Sequence, residues 1–238
     1  MQIAGPNEQP VRDEYQVMLE LLPLSHARVL ELGCGAAAMT QALAERTDVE
    51  HIVGAEVDRL AHEKNLIKAI DRVSFARFGA EEIEADDASF DIVIMLKSLH
   101  HVPAELMSRA FAEIHRVLKP GAVAYISEPV FAGELNEVIR LFHDEQGVRS
   151  AAFGATQDAI RSGHFELVRE YFYLSPVAMR SFDQFEQGVM RATHTEHHLT
   201  DALVDEIRKR FEAFKGEDSS TPYRFESPIR VDLLRKVA

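Results

Sequence analysis

Cysteine occurs once in the 238 residues, at Cys34. A single thiol excludes an internal disulfide framework and fits a reducing compartment, so a cytoplasmic location is expected. Long apolar runs are missing too. None reaches the roughly 20 residues that cross a bilayer, and the N-terminus lacks a basic segment followed by an apolar one, so no membrane association is expected. Basic residues are the third shortage: 26 Lys and Arg stand against 39 Asp and Glu, a formal charge of −13. Such a field repels phosphate backbones, and no Lys/Arg cluster offers a local exception, which argues against nucleic acid as a partner. There is no internal repeat and no low-complexity segment. What remains is an ordinary globular composition, 46% apolar, in a chain long enough to bury a large core as one α/β unit. Nothing in the pattern fixes an oligomeric state.

The informative stretch is 29–40, Val-Leu-Glu-Leu-Gly-Cys-Gly-Ala-Ala-Ala-Met-Thr. A short apolar run, an acid, two glycines one residue apart and then small residues describe a buried strand turning sharply into a helix. The turn lets a ligand approach the backbone, and the helix N-terminus offers unpaired N–H groups. A dinucleotide fingerprint would need a third glycine at position 38, which is Ala38. Glu31, two residues before Gly33, would also sit badly beside two phosphates; it suits a ligand carrying an ammonium group. Cys34, inside the turn, is expected to be a small packing residue without catalytic chemistry.

Further apolar runs follow at 51–57, 73–79, 90–96 and 122–130. The first of them ends in Glu56, placed where an acid can accept both hydroxyls of a ribose. Asp58 is expected to cap a helix over 59–70. These strands alternate with helical patterns of ten or more residues, and their near-continuous apolar character points to a parallel sheet covered on both faces. Right-handed crossovers then give a doubly wound sheet with its ligand at the carboxyl ends of the strands. Glu31, Glu56, Gly79 and Lys97 all fall at such ends. The segment Lys119-Pro120-Gly121 reads as the end of a helix leading back to the fifth strand.

The pattern Glu31-x-Gly33-x-Gly35-x-Ala37 resembles the first motif of class I S-adenosylmethionine-dependent methyltransferases, acid-x-Gly-x-Gly-x-Gly, with Ala37 in the last glycine's place. Ser89-Phe90-Asp91-Ile92-Val93, then Leu99-His100-His101-Val102, then Glu113 to Gly121 resemble the type 11 branch. The resemblance covers about 25–131. It implies a Rossmann-like methyltransferase fold of seven mostly parallel strands with helices on both faces, and S-adenosyl-L-methionine as cofactor. It also implies cofactor contacts from Glu31, Gly33, Cys34, Gly35, Glu56, Val57, Ala80, Glu81, Leu96 and Lys97. Many relatives carry Gly-Asp where this chain has Gly79-Ala80, so the adenine contact is either lost or moved to Glu81, and a backbone N–H at Ala80 or Glu81 is the other partner for a ring nitrogen.

The second half is expected to choose the acceptor. Helices over 135–145, 149–162, 181–192 and 200–214 alternate with a sixth strand at 165–174 and a last strand at 229–236. That last strand is antiparallel and at an inner position by the resemblance. Segments 131–163 and 181–214 form a helical lid within one domain spanning 1–238, and 216–222 reads as a mobile loop. Of the aromatics at 142, 153, 172, 182, 185 and 211, most belong to a core and one or two line a pocket. His101 is the candidate catalytic base, ahead of His100; Arg12 and Tyr15 are candidates to cover the cofactor. His194 and His198 are four apart, but no third ligand is apparent, so no metal is assigned. The expected activity is methyl transfer to a small, partly apolar acceptor at oxygen. The alternatives are a non-catalytic cofactor-binding regulatory module and an NAD-dependent oxidoreductase.

Overall fold

A computed structural model describes residues 1–191, 198–218 and 220–237. The chain opens with helix α1 (Glu14–Leu21), capped by Asp13 accepting from the Gln16 N–H. Strand β1 (Arg28–Leu32), α2 (Ala38–Arg46), β2 (His51–Ala55), α3 (Arg59–Leu66) and β3 (Val73–Ala76) follow. Next come β4 (Phe90–Leu96), α4 (Met107–Val117), β5 (Leu118–Pro129), α5 (Glu134–Ile139) and α6 (Gln146–Arg161). The chain finishes with β6 (Phe165–Met179), α7 (Phe182–Phe185), α8 (Asp201–Glu212) and β7 (Tyr223–Lys236). Among the described residues, no helix is long and apolar enough to cross a membrane.

The seven strands form one sheet in the order β3-β2-β1-β4-β5-β7-β6. The first five are parallel and β7 runs antiparallel between β5 and β6, as expected. The order reverses beside β1, and at such a switch point the loops leaving neighbouring strands diverge and open a crevice. Strand alternation assigns the two faces. Leu30, Leu32, Val93, Met95, Ala124 and Ile126 pack with Phe111, Ile114 and Phe165 on one side. Val29, Ile92, Ile94, Val123 and Tyr125 pack with Val17, Met18 and Leu43 on the other. Covering on both faces explains the continuous apolar runs.

Several boundaries differ from the sequence reading. Strand β3 ends at Ala76, and the helix expected over 135–145 is α5, ending at Ile139. Three further differences reshape β5 and the second half. Helix α4 ends at Val117, and Leu118 already pairs with Phe90. Lys119-Pro120-Gly121 is thus a bulge inside β5, with Gly121 at φ +75 and the register resuming at Ile92 with Val123. Strands β6 and β7 run past 174 and 229 and remain paired through Met179 with Tyr223. Pro176 and Pro228 obscured this arm. Pro176 lies on the edge strand β6, and Pro228 lies just past the last β5–β7 pair, Pro129 with Ile229, so both missing N–H groups are tolerated. Third, the helix expected over 181–192 is α7 followed by a π-helical turn at Glu186–Met190.

The arm carries a third hydrophobic cluster. Phe182, Phe185, Phe211, Tyr223 and Phe225 interlock there with Val138, Met190 and Ile207. Phe185 and Phe211 stack at 4.9 Å between ring centroids, and Phe211 meets Tyr223 at 4.3 Å. The segments expected as a lid therefore form a satellite core built on two extended strands. The loop at 216–222 is closed by the Gly216 N–H donating to Pro222 O at 2.7 Å. Asp218 ties it further, accepting from Ser220 and Arg224.

Candidate functional site at the strand ends

The turn after β1 is fixed by backbone bonds. The N–H groups of Gly33 and Cys34 both donate to Ala55 O, at 2.9 and 3.0 Å, tying the ends of β1 and β2 together. Gly33 sits at φ +74 and Gly35 at φ +52. At Gly33 a Cβ would stand 2.7 Å from the Ser98 Cβ, so the absent side chain is what lets the turn approach the end of β4. Ala37 also adopts a left-handed conformation, φ +54, as it leads into α2. For a residue with a Cβ that backbone costs roughly 1–2 kcal/mol, which accounts for the glycine that the resembling motif carries there.

Glu56 closes the turn from the other side. Its Oε2 accepts from the Gly35 N–H at 2.7 Å and its Oε1 from the Asp58 N–H at 2.9 Å. Each oxygen keeps lone-pair capacity, so the carboxylate is positioned without being used up. Asp58 caps α3 through the Ala61 N–H at 2.7 Å. That helix ends at Leu66, four residues before the expected end.

These residues border a cavity of about 530 Å³. Gly33, Gly35, Glu56, Val57, Ala80, Glu81, Lys97 and His101 line it, together with Leu32, Asp58, Phe78, Met95, Ser98 and Val102. Val57 is 60% exposed, an apolar side chain held at the mouth. Apolar walls beside a carboxylate that is hydrogen-bonded to a glycine turn fit a nucleoside attached to an amino-acid tail. The structure places three expected contacts elsewhere. Glu31 is buried and accepts from the Thr40 hydroxyl, Cys34 is buried beside Asn65, and Leu96 packs into the α1–α2 side of the sheet. Burial pushes the Glu31 carboxyl up to about 7, against the Thr40 hydrogen bond and with help from Glu56. Burial likewise raises the Cys34 thiol to about 12, which agrees with a packing role.

Arg12 pairs with Glu20, and Tyr15 lies under the Arg46 guanidinium at 5.6 Å; neither lines this cavity. The residue of α1 that reaches the strand ends is Glu14. It is buried, lies 3.4 Å from the Lys97 ammonium and accepts from the Tyr125 hydroxyl at 3.0 Å. Lys97 itself turns out of β4 at φ +55.

A second cavity of about 330 Å³ adjoins the first and shares Lys97 and His101 with it. Its walls mix Ile139, Phe142, Val177, Val189 and Ile229 with His100, His143, Glu145 and Arg149. Among the expected aromatics, Phe142 lines it, whereas Phe182, Phe185 and Phe211 are core. Phe153 lies under the Arg230 guanidinium at 4.4 Å. His100 is buried, with Nδ1 2.5 Å from Glu128 Oε2 and Nε2 3.6 Å from Glu145 Oε1. Burial works against its charge, but the two carboxylates outweigh it and hold the imidazole near pKa 9. Glu145, although partly desolvated, is kept well below the usual carboxylate range by His100 and Arg149. Sequence reasoning missed Glu128, Glu145 and Arg149. Glu128, an acid near the carboxyl end of β5, carried the same signal as Glu31 and Glu56. Of the other histidine pair, His194 lies outside the described residues and His198 is exposed.

The comparisons with known proteins agree with this geometry. The family described as "Methyltransferase domain" matches residues 29–121. An uncharacterized methyltransferase of Mycobacterium tuberculosis is 38% identical over 103 residues, 42% of this chain and 39% of that protein. A demethylmenaquinone methyltransferase of Lactiplantibacillus plantarum is 34% identical over 45% of this chain and 47% of its own. A sterol 24-C-methyltransferase of Debaryomyces hansenii is 28% identical over 46% of this chain and 30% of its own. The chain thus spans less than half the length of each of these relatives. Among solved structures, the YcgJ protein of Bacillus subtilis superposes with a TM-score of 0.63 at 19% identity, covering 94% of this chain and 98% of that one. A SAM-dependent methyltransferase of Methanosarcina mazei gives 0.57 at 17%, covering 95% and 99%. Strand order, glycine turn and family match agree: residues 29–121 are similar to the methyltransferase-domain family, and the chain has the fold of the methyltransferase structures it superposes on.

Proposed function

We propose that this protein transfers a methyl group from S-adenosylmethionine to a small, partly apolar acceptor, at oxygen. One observation carries the reading: the cavity at the glycine turn and the second cavity share Lys97 and His101 in their walls. When bound, the cofactor supplies an electrophilic methyl on a sulfonium. The protein's part is to hold two reactants in line at contact distance, which can supply a large share of the acceleration. Glu56 accepts the ribose hydroxyls, the open backbone at Gly35, which has no side chain, lets the amino-acid end approach, and Val57, Ala80 and Glu81 border the adenine. Buried Glu31 supplies negative field for the ammonium group. His101 is placed at the junction to take the acceptor's proton. The apolar wall of the second cavity suits a mostly hydrocarbon acceptor, and the quinone and sterol named by two relatives are of that character.

Calorimetric titration with S-adenosylhomocysteine, with NADH as the control, tests the cofactor; mass spectrometry over a panel of phenols, quinols and hydroxylated lipids tests the transfer. Binding of the first alone with methylation of a panel member is expected. Cofactor binding without turnover across the panel would leave the regulatory module, and NADH binding alone would leave the oxidoreductase. His101→Ala should lower turnover far more than S-adenosylhomocysteine affinity.

A further inference from the structure

The second cavity holds a set of ligand atoms of which the proposed function uses only those of His101. His100, His101 and Glu145 each present one, and these atoms lie within 4.8 Å of one another. Two ligands about 2.1 Å from a common tetrahedral ion stand about 3.4 Å apart, so small side-chain movements would close this set on an ion. The 3.6 Å between His100 Nε2 and Glu145 Oε1 is long for a hydrogen bond but close to that spacing.

The surroundings are built in the way metal ligands are supported. Glu128 is buried, its Oε1 accepts from the Leu99 N–H at 3.0 Å, and its Oε2 faces His100 Nδ1 at 2.5 Å. A carboxylate on Nδ1 is the usual outer partner of a metal-bound histidine: it keeps the proton on Nδ1, so an ion that displaces the Nε2 proton meets Nε2 as the ligand atom. Glu145 is held through both oxygens. Its Oε2 accepts from Arg149 at 2.6 and 3.1 Å, and its Oε1 lies 2.9 Å from His143 Nε2 and 3.6 Å from His100 Nε2. An ion would take Oε1 in place of the His143 contact. His101 is exposed to the cavity, while His100 and Glu145 are buried. Two imidazoles and one carboxylate, with further positions open to a cavity, are a donor set for a divalent first-row transition metal.

We propose that His100, His101 and Glu145 bind one divalent transition-metal cation, with Glu128 and Arg149 as positioning residues, and that its open positions accept an oxygen of the acceptor. The ion's location as an acceptor site rests on the methyl-transfer reading; its binding does not. In the loaded protein His101 is a ligand, and the ion takes over lowering the pKa of the acceptor hydroxyl. No sequence spacing announces the set, because its members come from the loop after β4 and from the segment before α6.

The test uses the full chain, stripped with EDTA and dialysed, with no cofactor or acceptor present. Zn²⁺ is titrated by calorimetry, and Co²⁺ by its visible absorption, which reports nitrogen and oxygen ligation. One equivalent bound at least tenfold more tightly than to Glu145→Gln is expected, with the Co²⁺ spectrum changed in His101→Gln. The second variant alters an exposed side chain and keeps the test valid if the buried change fails to fold. Wild-type binding no tighter than that of His101→Gln would overturn the site, and His100 would then be an imidazolium held between two carboxylates. S-adenosylhomocysteine titration of the stripped protein separates the readings. Metal binding without it sinks only the cofactor, and the reverse result sinks only the ion.

Discussion

The backbone N–H of Gly35 donates to Glu56 Oε2 at 2.7 Å, so the acid expected to hold a ribose also fastens the glycine turn. Both Glu56 oxygens accept a backbone N–H. An amide in its place can accept at one atom only and turns a donor toward the other N–H. Glu56→Gln should therefore weaken S-adenosylhomocysteine binding at least tenfold and lower stability by about 1–3 kcal/mol. Calorimetry and thermal melts measure the two effects. Unchanged affinity with lowered stability would reduce Glu56 to a fastener.

Gly33 faces Ser98 so closely that the two positions should be coupled. Gly33→Ala places a Cβ 2.7 Å from the Ser98 Cβ at a backbone of φ +74. A loss of about 1–3 kcal/mol and at least tenfold weaker cofactor binding are expected. Adding Ser98→Gly removes the clash but not the backbone strain, so a double-mutant cycle should recover part of the stability. Strict additivity would mean that the two residues do not meet.

Glu31 makes the fold sensitive to pH in a direction opposite to most carboxylates. Its folded pKa is raised from 4.5 to about 7 by burial. Between those values the folded carboxyl keeps a proton that the unfolded one has released, so this group's contribution to stability declines as pH rises. The full loss, about 3 kcal/mol, is reached above pH 7. Glu31→Gln should then gain on wild type between pH 5 and pH 8 in denaturant melts. A gap that stays constant with pH would show that Glu31 is ionised in the folded protein throughout.

The β/α alternation was legible because each strand is buried on both faces and each ends in a recognisable residue. Glu31, Glu56 and Lys97 were found by that rule, and so was the inner antiparallel β7, through the resemblance. The arm beyond residues 174 and 229 was hidden, since Pro176 and Pro228 read as breaks when the neighbouring strand is unknown. The cluster at His100 was hidden for another reason. Glu128, Glu145 and Arg149 reach it from separate elements, and only tertiary packing brings them to one imidazole. Sequence placed His101 ahead of His100; the structure leaves His101 at the junction and shows that His100 is the one held by carboxylates.

The satellite core of the lid yields the last prediction. Phe211 is fully buried and packs against Phe182, Phe185, Tyr223 and Phe225. Truncating such a ring to alanine costs about 3–5 kcal/mol, but the cost falls on the cluster that loses its packing. Ile139, Phe142, Val177 and Val189 pack on that cluster and also line the second cavity, whereas the first cavity draws its walls from the turns after β1, β2, β3 and β4. Phe211→Ala should thus loosen the acceptor site and leave the cofactor site intact. Hydrogen exchange should quicken in α8 and in the arm at 174–179, with β1 and β4 still protected. S-adenosylhomocysteine affinity should stay within about twofold while acceptor turnover falls at least tenfold. If affinity and turnover fell together, the lid would be part of the cofactor site, and acceptor choice would have to lie elsewhere.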